Sequence, residues 1–309
     1  MTPLAVTAAV SPANAGTVTY VPWSSQLQGW TTEFIPSSSN DCVAGRMTCV
    51  KATTKELARI LQLTGTSCSH DAPFALAYTR MTQTFGWSRD IPGYYQDPAF
   101  ATHQAAVFAK HYTDAFYNWR NGNNGAVPRA WQIAFTSAAG QKVSGTGDLM
   151  LGMNAHINRD LPFVVAAVGL TAPDGTSRKP DFDKVEEWLA TASAPMAAEN
   201  AQRFDPIMDD GDDPLGAAYS AVMQVVSVWR ENAWRNAERL VSAPTAEARA
   251  LVAADIEASA NATAQSIQAT YSYLPPVTTT TARDRYCVVH NGDTAPMPYD
   301  FGTPAPYGP

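Results

Sequence analysis

The sequence predicts a mainly α fold, a single helical-bundle-like domain with irregular N- and C-terminal arms. Three observations carry that expectation. From about residue 53 onward, segments open on Thr or Asp, several with Pro in the first turn, and close on Gly or Asn, which is the punctuation of helices. Apolar residues recur at three- and four-residue steps, as in Val222, Val225, Val226, Trp229, Ala233, Ala237 and Leu240, which marks one face of a helix. No segment reads as a run of alternating strands.

Taken in order, residues 1–15 resemble the residue of a signal peptide: Leu4 to Val10 is a short apolar run and Ala13-Asn14-Ala15 an A-x-A cleavage pattern, without a basic residue before it. Residues 16–70 form an N-terminal arm holding Cys42, Cys49, Cys68 and one helix. In that helix Thr53 and Glu56 make a capping box before LARILQL, and Gly65 closes it. The helical core domain spans residues 71–275. Asp71 and Pro73 open FALAYTRMTQTF, which Gly86 ends; Asp97 and Pro98 open a segment reaching about Asn121. Further helices are expected over Gly147–Gly169, Asp181–Ala192, Leu215–Ser242 and Thr245–Tyr271. Within the first of these, Pro162 removes the N–H that would bond the Asn158 carbonyl. A break or kink is expected there, with Asp160 capping the helix Leu161–Leu170. Residues 276–309 form a Pro/Thr-rich tail.

Composition narrows the function classes. The 309 residues are 45% hydrophobic and 16% charged, with net charge −7, too apolar for a disordered chain. No apolar run approaches the ~20 residues of a membrane span. The 21 basic residues form no dense run, which argues against a nucleic-acid partner. The four cysteines lack paired CxxC spacing. In an exported protein they imply two disulfides in one of three connectivities, one bond joining Cys42, Cys49 or Cys68 to Cys287. Closing so long a loop would stabilise by about 4–5 kcal/mol. The expected location is secreted or extracytoplasmic; the oligomeric state is left open.

The segment GDLMLGMNAHINRDLPFVVAAVGL carries the most chemistry. At helical pitch Leu149, Met153, His156 and Asp160 share one apolar stripe, so an imidazole and a carboxylate one turn apart face the interior. Burying either group requires a partner or a metal. Gly152 on the same side would admit a ligand or another backbone. A second cluster, His103, His111 and Asp114, lies on the helix from Asp97; His103 is expected on a solvated face. With His156 and Asp160, the pair His111 and Asp114 would complete ligands for one zinc or iron ion; a purely structural His156–Asp160 pair is the alternative. Arg230 and Trp234 at i, i+4 could stack and present a guanidinium to a pocket. The acidic stretch Asp205–Asp213 reads as a solvated loop and N-cap, and the sequon at Asn261 falls in a helix.

DPAF (97–100), VPRAW (127–131), GMNAHINRDLP (152–162), DFDKV (181–185) and RENAWRNAERL (230–240) in this order and spacing resemble the bacterial domain-of-unknown-function family 5995. The resemblance covers roughly residues 71 to 275 and implies one helical domain. It carries over Asn154, His156, Asn158, Asp160 and Pro162 as a signature, with Arg129, Trp131, Arg230, Trp234 and Asn236 as secondary matches. His111 stands where the resemblance implies an apolar residue. The cysteine-bearing arms lie outside the match. H-x-x-x-D before Pro is also similar to part of the zinc-dependent phospholipase C and single-strand nuclease fold, but the further downstream histidines are absent.

The function expected from these residues is hydrolysis of an ester or phosphoester of an apolar small molecule or lipid. His156 and Asp160 would be the catalytic pair, with Asn154 beside them and Arg159 or Arg230 stabilising developing charge; Met153, Gly152, Trp131 and Trp234 would form the substrate pocket. Two other functions fit the same residues, a non-catalytic binding protein for a hydrophobic metabolite and a tailoring cyclase or isomerase using the pair as acid and base.

Overall fold

A computed structural model describes residues 32–208 and 217–292. The signal-like segment, most of the acidic loop (Asp209–Asp213) and the end of the tail lie outside them. The described chain folds as ten α-helices: α1 (Met47–Thr66), α2 (Ala72–Arg89), α3 (Pro98–Arg120), α4 (Arg129–Ala139), α5 (Gly145–Asn154), α6 (Leu161–Val168), α7 (Lys179–Arg203), α8 (Ala217–Ser242), α9 (Ala246–Tyr271) and α10 (Thr281–His290). A π turn, Ala155–Asp160, joins α5 to α6. Among the described residues the only β pairing is in two isolated bridges, Val143 with Ser272 and Thr171 with Ser177. No described helix is long and apolar enough to cross a membrane.

Several helix starts follow from local chemistry. Asp97 Oδ1 accepts from the Phe100 N–H at 2.9 Å with Pro98 in the first turn. Ser144 caps α5, and Thr245 caps α9 by accepting from Ala248. Three boundaries differ from expectation. Helix α1 begins at Met47, so Thr53 is interior rather than a cap; the Cys42–Cys49 disulfide and the Asn40 and Asp41 turn launch it earlier. Helix α7 runs through Pro195 to Arg203, beyond the expected Ala192. The tail holds a helix, α10, which Cys287 fastens to Cys68 at the end of α1. The other disulfide, Cys42–Cys49, leaves no free cysteine.

Packing places the α5–π–α6 run in the interior. Its Leu151 and Ala155 join a core with Leu57, Phe74, Trp131 and Ala264, and its Leu161 and Val165 join Phe182, Ala233 and Trp234. The polar signature is thereby carried into the middle of the domain.

Candidate functional site

The helix from Gly145 to Val168 is continuous, so the expected break at Pro162 is absent. In a plain α-helix the Pro162 ring would press on the Asn158 carbonyl. The chain widens instead: the Leu161 N–H reaches back five residues to the His156 carbonyl, a π turn that separates ring and carbonyl. Asp160 keeps helical backbone angles and caps nothing, contrary to the sequence reading, because its carboxylate is occupied by other side chains.

Those side chains converge from three helices. Trp131 Nε1 donates to Asp160 Oδ2 at 2.8 Å, and Arg159 Nη1 donates to Oδ1 at 2.9 Å. His156 Nδ1 stands 3.5 Å from Oδ2, and His111 Nδ1 3.8 Å from Oδ1. Arg159 Nε donates to Glu257 Oε1 of α9 at 2.7 Å, and Arg159, Asp160 and Glu257 are each wholly buried. An alternating chain of charges is thus held inside the protein, where each charge requires its neighbour. Burial favours the neutral acid of Asp160, yet hydrogen bonding from His156 and the Arg159 charge outweigh it and hold the carboxyl at about 2. Burial pushes the His156 imidazole below its ordinary value, Asp160 opposing. Glu257 is raised by burial, against the pull of Arg159.

An ionised Asp160 can only accept, so His156 carries its proton on Nδ1 and leaves the Nε2 lone pair available. That nitrogen is buried without a partner and His156 lines a cavity of about 260 Å³. The ring is fixed by aromatic neighbours. It stacks on Phe108 with centroids 3.5 Å apart and planes at 5°, and Tyr78 meets it edge-on at 4.4 Å. The cavity walls are mostly apolar, with Phe74, Met81, Phe85, Met153, Trp188 and Met223 among them.

Of the candidate residues, His156, Met153 and Arg230 line this cavity. Arg159 and Asp160 stand behind it, as does Trp131, whose indole serves Asp160 rather than a substrate. Asn154 Nδ2 is spent on the Ala260 carbonyl at 2.9 Å, and its Oδ1 accepts from Asn158. Gly152 admits no ligand: a Cβ there would lie 2.4 Å from Phe74 Cγ, so the glycine exists for that ring. Arg230 stacks on Phe182 at 4.3 Å, not on Trp234. Its Nη2 donates to the Phe182 carbonyl, and Nε lies 3.4 Å from Glu186 Oε1. Trp234 packs against Phe182 and donates to Glu238.

The metal expectation fails on donors. Asp114 is held by Lys110 Nζ at 2.8 and 2.7 Å through its two oxygens. Both oxygens of Asp160 already accept from Trp131 and Arg159. Among the described residues no group of three or more His, Cys, Asp or Glu is arranged to hold a metal ion, and the residues here do not fit zinc or iron. His103 is also corrected: it is buried, with Nδ1 and Nε2 each 2.9 Å from a carbonyl, of Cys42 and Thr32 respectively. Asp205 is buried too, accepting from the Gly145 N–H at 2.9 Å.

Sequence reasoning missed Glu257, Phe108 and Tyr78. Glu257 left a signal, since it interrupts the stripe Ala253, Ala260 and Ala264 on one face of α9. The two rings left none beyond their helical spacing.

His111 is buried with both ring nitrogens unpartnered, and burial pushes it down to about 4 against the attraction of Asp160. A base whose folded pKa is lowered contributes stability above its unfolded value near 6.5 and loses it as pH falls towards 4. From pH 7 to 5 this residue should cost about 2 kcal/mol. Urea unfolding of wild type and His111→Leu at both pH values isolates it: the variant should lose about 2 kcal/mol less. Equal losses would refute a neutral, buried His111.

Fold and site together define a class: helical domains stapled by disulfides, enclosing an apolar cavity with a buried His–Asp dyad on a π turn. The chain belongs to the family of unknown function DUF5995, whose profile matches residues 50–270. No curated protein and no solved structure matches it.

Proposed function

We propose that the protein is an exported hydrolase that cleaves a carboxylic ester of an apolar small molecule or lipid in the cavity beside His156. One observation carries the reading: an imidazole whose Nδ1 faces an ionised carboxylate and whose unpartnered Nε2 belongs to the wall of an apolar cavity. This is the arrangement of a general base. His156 Nε2 would take a proton from water as its oxygen adds to the ester carbonyl, and then return that proton to the departing alkoxide. Asp160 would stabilise the intervening imidazolium without itself being protonated. Tyr78, kept as the neutral phenol by burial and the Asp160 charge, lines the same cavity and offers an O–H to the developing oxyanion. Arg159 is withdrawn from that role by its pairing with Glu257 and Asp160.

An ester is favoured over a phosphoester by charge. Arg230 is the only Lys or Arg lining the cavity and is already engaged, so a buried phosphate would go uncompensated. Export is supported by the two disulfides, which persist in oxidising compartments.

The test uses p-nitrophenyl esters of increasing chain length with wild type and His156→Gln. Wild type should hydrolyse the longer esters, and the variant should lose about 10²–10⁴-fold in kcat while Nile red binding persists. The rate should fall in acid with a midpoint below the ordinary histidine value, because the base must be neutral. Tight dye binding with no turnover of any ester would instead establish a binding protein, the reading favoured by the mostly apolar wall.

A further inference from the structure

The wall of the cavity formed by α1 and α2 has a second hollow on its outer side, open to solvent and bordered by Val50, Lys51, Lys55, Thr82, Gly86 and Trp87. Val50 and Thr82 line the inner cavity as well. At this point the two spaces are separated by a single layer of side chains. Thr82 is tied back to its own helix through the Tyr78 carbonyl, which leaves Val50 as the movable part of the partition. Gly86 faces it: a Cβ there would lie 2.9 Å from Val50 Cγ1, so the missing side chain gives the valine room to turn. The adjacent start of α1 is fixed by Cys49, itself in the cavity wall and bonded to Cys42.

The outer hollow is positively biased. Lys51 and Lys55 are exposed one turn apart on α1 and make no ion pair among the described residues. The neighbouring acids are occupied, Asp90 by Arg89 and Glu56 by Arg59. Like charges at i, i+4 weaken a helix, and they stand unneutralised on a chain of net charge −7. An apolar channel mouth flanked by two free ammonium groups matches one kind of molecule. Its anion stays in water because burying it is prohibitive, and its chain enters the protein.

We propose that the substrate is an anionic amphiphile whose carboxylate or phosphate rests against Lys51 and Lys55. Its chain passes Val50 between α1 and α2 and brings the ester to His156. The placement of the ester rests on the hydrolase reading; the placement of the anion does not.

The full chain is titrated with cis-parinaric acid and with its methyl ester, read by polyene fluorescence. Wild type should bind the acid about tenfold more tightly, as two exposed charge contacts allow, and the preference should shrink as salt is added. Lys51→Glu combined with Lys55→Glu should abolish the preference while the methyl ester binds as before. Val50→Trp should weaken both probes. Laurate and dodecyl phosphate as competitors separate the two anions: displacement by either supports the proposal and identifies the head group, and displacement by neither overturns it. Equal binding of acid and ester by wild type, or an unchanged preference in the double lysine variant, would also overturn it. In that event continued ester hydrolysis would leave the hydrolase reading intact, whereas failure of both probes to bind would remove the cavity reading as well.

Discussion

Asp160→Ala should cost about 3–5 kcal/mol of folding stability, the usual consequence of removing one partner from a buried ion pair. Arg159 is wholly buried and would retain Glu257 but lose its second carboxylate. The Trp131 indole N–H, bonded to Asp160 at 2.8 Å, would be left without an acceptor in the core. Set against total stabilities of about 5–15 kcal/mol, this is a large fraction. Asp160→Asn should be milder, because an amide oxygen can still accept from Trp131 although the charge is gone. The wild-type contribution has a defined pH window: the carboxyl is held at about 2, below its ordinary 3.8, so the stabilisation is present above about 4 and lost as pH falls through about 2. Urea unfolding of the three proteins at pH 7 is the measurement. A cost below about 1 kcal/mol for the alanine variant would mean that Arg159 is not dependent on this carboxylate.

Removing the Cys68–Cys287 bond should be comparably severe. It joins residues 219 positions apart, and the chain-entropy relation gives about 5 kcal/mol for closing such a loop. The Cys42–Cys49 bond closes a separation of 7 residues and should contribute only about 2 kcal/mol. Ser replacements made pairwise, followed by denaturant unfolding with and without reductant, give both values. The long bond has a further structural reason to matter. It fastens α10, whose Arg283 enters the interior to meet Asp148 at 2.6 Å and His70 at 3.0 Å. If α10 loosens, those buried groups lose their partner. Equal costs for the two bonds would contradict both arguments.

The helices were legible where a cap and a period coincide, as at Asp97 and Pro98 or in the Val222–Leu240 stripe. Helix α10 was not, because TARDRYCVVH has little apolar face of its own and is held by a covalent bond and two buried partners. The inward pair His156 and Asp160 could be read from spacing alone, since i and i+4 share a face whether or not the turn is wide. What surrounds the pair could not. Glu257 lies 98 positions from Arg159 in sequence, and no local pattern links them. His103 was misread because the carbonyls that receive it come from the N-terminal arm, which had no periodicity to place it. Proline's chemistry was read correctly at Pro162 and its consequence wrongly: a clash can be relieved by widening a helix as well as by ending it.

That widening has a consequence for chain length. A π turn accommodates one residue more than the α-helix it interrupts, so the segment from Ala155 to Asp160 is, in effect, an insertion that the fold has absorbed. Deleting a single residue there would restore an ordinary helix and swing everything after it by about a quarter turn around the axis. Phe163 and Val164, both wholly buried, would leave their sockets, and His156 would lose its alignment with Asp160. Counting residues between Asn154 and Pro162 therefore becomes a way to sort members of the family. A chain shorter by one at this point would keep the helices but not the dyad.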